Sequence, residues 1–239
     1  MGTSLFNIQN LNAWYQPKRI VLSNLSLELY EHEIVGMIGL NGAGKTTLLK
    51  ILSGLHENFS ADGIQLLGNP VKLRGEDFKT CRYTVFAEDN SFQYFTFREY
   101  LSYVFSAYGK KQEDISALIR GFHFEEYTDV LLKDLSTGNK KKVYLITAFA
   151  IKPKLLFLDE PVNGLDFCST EFLYQLIAGY RAYGTVLFSS HILESITATS
   201  DRVFVLEEGR IRQIFEDCAR NAAKIREVLQ YENNISSFC

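Results

Sequence analysis

Gly39-Leu40-Asn41-Gly42-Ala43-Gly44-Lys45-Thr46-Thr47 is the stretch on which the reading of this chain turns. The apolar run IVGMIGL of residues 34–40 leads into it and TTLLKILSGL of residues 46–55 leads out, so a strand ends and a helix begins around the glycines. In that setting the pattern GxxxxGK[ST] has a direct chemical reading. Gly39, Gly42 and Gly44 let the backbone wrap closely around phosphate oxygens, with successive N–H groups, those of Asn41 and Ala43 among them, turned inward. The helix that follows adds the positive end of its dipole. Lys45 brings a full charge to the β- and γ-phosphates, the Thr46 hydroxyl is suitably placed for Mg²⁺, and Thr47 completes the cradle.

Working outward, short apolar runs alternate with amphipathic stretches: LLFLD precedes a helical pattern over 168–180, and TVLFSSH precedes ILESITAT. This alternation predicts parallel strands buried between helices, an α/β core. Residues 1–30 and 62–73 read instead as shorter alternating strands with turn residues, which predicts a small antiparallel N-terminal sheet. Residues 97–135 lack strands and predict two helices, FREYLSYVFSAY and EDISALIRGF, joined by GKKQ: a helical insertion.

A second chemical site lies at Lys154-Leu155-Leu156-Phe157-Leu158-Asp159-Glu160, an apolar strand ending in two acids. Asp159 at the strand end can join a Mg²⁺ shell, and Glu160 beside it can polarise an attacking water; taken alone, the pair could equally be solvated acids after a strand. Between the two sites runs Leu135-Ser136-Thr137-Gly138-Asn139-Lys140-Lys141-Lys142-Val143, opening a helix. Ser136 can cap that helix and Gly138 permits close backbone approach. Lys140–Lys142 oppose the helix dipole, so they read either as a solvated charged face or as a match for an anion.

With all three stretches in hand, the sequence resembles the ATP-binding subunits of ABC transporters from about residue 4 to about 215, residues 135–139 standing where that family has its LSGGQ signature. The signature form looks most like that of two-component exporters of drugs, peptides or bacteriocins. The resemblance implies a P-loop NTPase core with a mostly parallel sheet, an N-terminal antiparallel subdomain and a helical insertion at about 90–150, all one domain over 1–239 with a short tail from about 216. It implies ATP and Mg²⁺ as ligands, Asp166 of Pro161–Asp166 at a dimer seam, and His191 as the residue that contacts the γ-phosphate. It implies that Ser136 and Gly138 act on the nucleotide of a second domain, identical or paralogous. It also implies a separate transmembrane permease, and hence a cytoplasmic protein held on the inner face of the membrane. An aromatic residue stacked on adenine is expected at Tyr15, with Trp14 adjacent as the alternative. Where the family carries a glutamine that approaches the metal, this chain has Glu88, and a carboxylate there adds negative charge beside the triphosphate. Phe92, Tyr94, Phe95 and Phe97 fall where the family has its permease groove, and could equally be core of the insertion.

Bulk properties limit the rival readings. A formal net charge of −3 offers no basic field for nucleic acid. No apolar run approaches the roughly 20 residues that span a bilayer, and the N-terminal stretch has no secretion pattern. Cys81, Cys168, Cys218 and Cys239 are far apart and read as reduced thiols. A non-transport ABC ATPase, or an ATP-holding regulatory module with little turnover, is the alternative; intact Glu160 and His191 weigh against the second.

Overall fold

The computed structural model describes residues 2–228 except 18, 192–195, 198 and 219; Cys239, the end of the expected tail and most of the helix expected from ILESITAT lie outside the described residues. Two sheets organise the chain. The first is antiparallel and N-terminal: β1 (Ser4–Gln16) pairs with β2 (Arg19–Tyr30) on one side and with β4 (Phe59–Ser60) and β5 (Gly63–Leu66) on the other, and β6 (Asn69–Pro70) extends it. β1 and β2 are longer than the alternation alone predicts, because register shifts along the pair bend a continuous ribbon where a shorter strand would stop.

The second sheet has the order β11-β10-β3-β9-β8-β7. β3 (Ile34–Ile38), β7 (Arg82–Val85), β8 (Leu155–Leu158), β9 (Thr185–Ser189) and β10 (Arg202–Glu207) run parallel, and β11 (Arg210–Glu216) closes one edge antiparallel. The two-residue strand period sorts the core into two layers. Val35, Met37, Leu155, Phe157, Leu187, Phe204 and Leu206 face the N-terminal sheet and α1 (Lys45–Leu52). Ile34, Ile38, Leu156, Leu158, Val186, Phe188, Val203 and Val205 face the opposite layer, built from α3 (Phe97–Ala107), α5 (Thr137–Ile151) and α6 (Phe167–Gly179).

α2 (Glu76–Cys81) leads directly into β7, and between β7 and β8 the chain forms helices joined by turns and loops, with no strand beyond an isolated bridge between Thr96 and Leu131. α3 begins on a capping box: Thr96 Oγ1 accepts from Glu99 N, while the Glu99 carboxylate accepts from Thr96 N. The second expected helix is shorter than its pattern, only α4 (Ser116–Gly121). Asp114 explains the difference, because its carboxylate accepts from both the N–H and the hydroxyl of Ser116, a local turn that competes with a helical start. Phe97 is buried in the core of the insertion, Phe92 and Phe95 pack partly buried beside Tyr100 and Tyr103, and Tyr94 stands exposed with Lys133 over its ring. A groove of ≈ 520 Å³ beside the insertion is walled by Tyr103, Tyr108, Arg82 and Leu55.

Phe157 is fully buried between the parallel sheet and the N-terminal layer. Phe157→Ala should lower the unfolding free energy by about 3–5 kcal/mol, read as a lower urea midpoint at constant slope. A loss below about 1 kcal/mol would contradict this packing.

Candidate functional site

The ends of β3, β8 and β9 meet the start of α1 at one edge of the parallel sheet. β3 runs into loop 39–44, whose last residue, Gly44, caps α1 at φ 108°, left-handed backbone that a side chain would strain. Lys45 is buried although charged, and its ammonium donates to the carbonyls of Gly39 and Leu40, the latter at 3.2 Å, so the cation lies folded across the mouth of the loop. Ala43 is buried behind the loop, where its N–H donates to Leu40 O and its carbonyl accepts from Gly209 N. Gly42, Asn41 and Thr46 remain exposed. Loop, Lys45, Thr46, Thr47, Asp159 and Glu160 line a single cleft of ≈ 270 Å³, which Tyr15 and Arg19 flank.

A hydrogen-bond chain fixes the acidic side of that cleft. Thr46 Oγ1 donates to Asp159 Oδ2 at 2.8 Å, and Ser189 Oγ donates to Asp159 Oδ1 at 2.8 Å. Ser189 Oγ also accepts from Glu160 N at 2.9 Å, which anchors Glu160 in left-handed backbone at φ 45°. The Glu160 carboxylate then meets His191 Nδ1 at 2.9 Å; His191 is largely exposed and Glu160 largely covered. Asp159 is 1% exposed, so its charge depends on these donors. Asp159, Thr46 and a phosphate-sized space make a hard-oxygen donor set, the kind Mg²⁺ takes when substrate oxygens and water complete its shell. The described residues hold no cluster of three His, Cys, Asp or Glu that would bind a metal unaided.

Tyr15 hydrogen-bonds through its hydroxyl to Thr47 Oγ1 at 3.2 Å and packs edge-on against His56, leaving 47% of its surface open. Trp14, by contrast, is half-buried, its main chain tied to Asn58 and His56. Glu88 is exposed and shares a cleft of ≈ 550 Å³ with Thr46 and Asp159.

Ser136, Gly138 and Asp166 form a separate group. Ser136 caps α5 by accepting from Asn139 N at 3.2 Å, with its face open to solvent. A Cβ on Gly138 would lie 2.3 Å from Gly164 O, so only glycine lets the two loops touch. Asp166 caps α6, accepting from Ser169 N at 2.8 Å, and pairs with Lys142 at 2.7 Å. The Lys142 hydrogen bond, followed by that of the Ser169 N–H, holds the Asp166 carboxyl well below the usual carboxylate range. Within one chain, then, these three residues do not line the cleft of Lys45.

For two members of the lysine run the structure overturns the solvated-face reading. Lys141 and Lys142 are buried, not a solvated face. The Lys141 ammonium donates to Phe86 O at 2.8 Å and lies 3.5 Å from Asp159 O, and burial lowers its pKa to about 8 against the pull of Asp159, Glu160, Asp89 and Glu88. Sequence reasoning also passed over Ser189. Its signal was there, a hydroxyl breaking an otherwise apolar strand just before His191.

Known proteins resemble this chain in sequence and fold. The family described as ABC transporter matches residues 22–163. This chain belongs to that family. It is 35% identical over 220 residues to the ABC transporter ATP-binding protein AlbC of Bacillus subtilis, covering 88% of this chain and 91% of that one. It is 33% identical over 226 residues to the energy-coupling factor transporter ATP-binding protein EcfA2 of Clostridium perfringens, covering 85% and 77%. Among solved structures, an ATP-binding subunit of an ABC transporter superposes with a TM-score of 0.84 at 25% identity, over 96% of this chain and 99% of that chain. As an ABC ATP-binding domain the protein binds ATP, and no helix among the described residues is long and apolar enough to cross a membrane.

Lys141 generates a pH prediction. Its native pKa of about 8 lies below the roughly 10.4 of an unfolded lysine, so the unfolded state binds more protons in that window. The buried charge therefore penalises the native state below pH about 8, and the penalty is relieved as pH rises toward 10.4, at up to about 1.4 kcal/mol per pH unit. Subtracting the stability profile of Lys141→Met from that of the parent isolates this rise from other titrating groups. A difference that stays flat from pH 7.5 to 10 would contradict the assignment.

Proposed function

We propose that this chain hydrolyses ATP to drive a separate membrane-spanning permease, and that residues 1–239 act as one such domain with the insertion at about 90–150. The observation that carries the reading is the convergence of Lys45, Thr46, Asp159 and Glu160 on one cleft. Lys45 moves from the loop carbonyls to the β- and γ-phosphates, an exchange of weak acceptors for full negative charges. Thr46 and Asp159 are the residues that would hold Mg²⁺, which when bound neutralises charge on the phosphate oxygens. Glu160 takes the proton of the attacking water as its oxygen bonds to the γ-phosphorus and the bond to the β,γ-bridging oxygen breaks. His191, hydrogen-bonded to Glu160, holds that carboxylate in line and reaches the γ-phosphate. Tyr15 stacks on the adenine ring, being the exposed aromatic at the cleft.

A second domain, a copy or a paralogue, completes the site. Its Ser136 and Gly138 loop closes on the nucleotide held by Lys45, so ATP favours the paired state by the difference in its affinity for the two states. Asp166 sits at the seam. The groove walled by Tyr103, Tyr108, Arg82 and Leu55 is the surface for the permease, mixed in character, with Glu76, Lys79 and Thr80 exposed along it, and set beside the loop of Glu88. Through it the protein is held on the inner face of the membrane. Export of a peptide, drug or bacteriocin is the transport reading favoured by the signature form LSTGNKKK.

Three variants test the site. Lys45→Ala should abolish measurable nucleotide binding in fluorescence titration. Glu160→Gln should keep ATP affinity within a few-fold and slow phosphate release by orders of magnitude. If both hydrolyse like the parent, the assignment is wrong. Glu88 adds a carboxylate near the metal side of the cleft, so Glu88→Gln should raise basal hydrolysis and flatten its dependence on Mg²⁺ concentration. Unchanged rate and unchanged titration would place Glu88 outside the chemistry.

A further inference from the structure

α5 and α6 are capped at their starts by Ser136 and Asp166, and their far ends meet at a cavity of ≈ 320 Å³ that α4 also lines. At 1.5 Å per residue, Phe149 in its wall is about 16 Å along α5 from Gly138. The cavity shares no lining residue with the nucleotide cleft. Leu118, Leu176, Phe149 and Tyr180 give it an apolar wall, the last two rings meeting edge-on with centroids 5.6 Å apart. Tyr180 is held in place by its hydroxyl, which donates to Pro153 O at 2.8 Å. An apolar cavity of this size with a few polar groups at its mouth is the usual form of a small-molecule site.

The exposed residues at the mouth indicate the charge of the ligand. The Lys152 ammonium lies 5.0 Å from the centroid of the Tyr183 ring and 3.1 Å from Glu113 Oε2, so an aromatic face and a carboxylate already share a cation here. Both members of that ion pair are open to water, and such a pair contributes little to the fold, so a second ammonium can take the place of the first. An anion finds fewer partners. Asp114 stands beside Glu113, fixed by the N–H and hydroxyl of Ser116, and α5 and α6 both bring the negative ends of their dipoles. Lys110, the neighbouring cation, directs its ammonium to the carbonyls of Ile151 and Lys152.

We infer that this cavity binds a small organic cation, an ammonium on an aromatic or branched apolar body. The body fills the space beside Phe149 and Tyr180, and the ammonium displaces that of Lys152 between Tyr183 and Glu113. The site is separate from the nucleotide reading and needs neither hydrolysis nor a second domain. Two lining positions allow it to be closed: Ala150, buried at the end of α5, and Gly179, where a Cβ would meet nothing within 4 Å.

The test is calorimetric titration of the full chain with tryptamine, its uncharged counterpart tryptophol and the anion indolepropionate. A non-hydrolysable ATP analogue is present throughout, so that no indole can stack in the nucleotide cleft. Tryptamine should bind saturably, and the alcohol and the anion about tenfold more weakly or less. Glu113→Gln should erase the preference for the amine over the alcohol, and Tyr183→Leu should reduce it several-fold. Both side chains are exposed, so circular dichroism and affinity for the ATP analogue should not change. Ala150→Leu and Gly179→Leu should each weaken all three probes by narrowing the cavity. If tryptophol or indolepropionate binds as tightly as tryptamine, or if Glu113→Gln keeps the preference, the cation assignment is wrong. If neither Ala150→Leu nor Gly179→Leu lowers tryptamine affinity, the ligand lies elsewhere. The absence of saturable tryptamine binding through the millimolar range overturns the proposal.

Discussion

The Asp159 carboxylate is the group on which the site depends. It is almost wholly removed from water, and both of its oxygens are used: Oδ2 by the Thr46 hydroxyl at the start of α1, Oδ1 by the Ser189 hydroxyl at the end of β9. A buried charge left without donors would be strongly unfavourable, so these bonds lock three separately encoded segments into one register. Ser189 carries the lock one step further by accepting from Glu160 N, which fixes the backbone that aims the Glu160 side chain toward His191. The phosphate loop, the metal-side acid and the water-activating acid are thereby positioned by one network.

Two buried lysines extend that logic to the helical insertion. Lys141 reaches from α5 to the carbonyl that follows β7 and toward the end of β8, while Lys142 reaches to the cap of α6. Each amine brings its charge from the insertion to a loop flanking the cleft. The loop that bears Glu88 is held by Lys141 through Phe86, which ties that loop to the start of α5 and to the main chain of Asp159. Ordering such cations in the interior is unfavourable in isolation, and the depressed pKa of Lys141 records the opposition. Their value lies in direction: a charge that must meet particular carbonyls and one carboxylate leaves the insertion few ways to dock.

Much of this architecture is legible along the chain itself. The glycines, Lys45 and Thr46 carry their chemistry in local order, because a phosphate loop is a contiguous strand–turn–helix unit. Apolar runs of strand length set between helical patterns identify the parallel sheet, since strands buried on both faces need no alternation. The N-terminal ribbon is recognisable as antiparallel by the opposite sign, its alternation and its turns. Asp159 and Glu160 are visible at the end of their strand, as is Asp166 ahead of a helix.

What stays hidden depends on distance in sequence. Ser189 is a plain hydroxyl until β9 is set beside β8, thirty residues away, where it bridges Asp159 and Glu160. The lysine run stays open between a solvated face and a match for an anion, because helical periodicity does not say which of three neighbours faces a carbonyl or a carboxylate. The Asp114 turn shortens α4 through a side-chain competition that apolar spacing does not register. The choice between Tyr15 and Trp14 as the aromatic at the cleft is likewise open in the chain, since adjacent residues in a strand point to opposite faces and only the packed sheet says which face is which. Local order along the chain is enough to specify the available chemistry, because phosphate loop, acids and helix caps are patterns of neighbouring residues. Tertiary packing alone settles which groups share the interior, because burial and partnership arise from contacts between segments far apart in the chain.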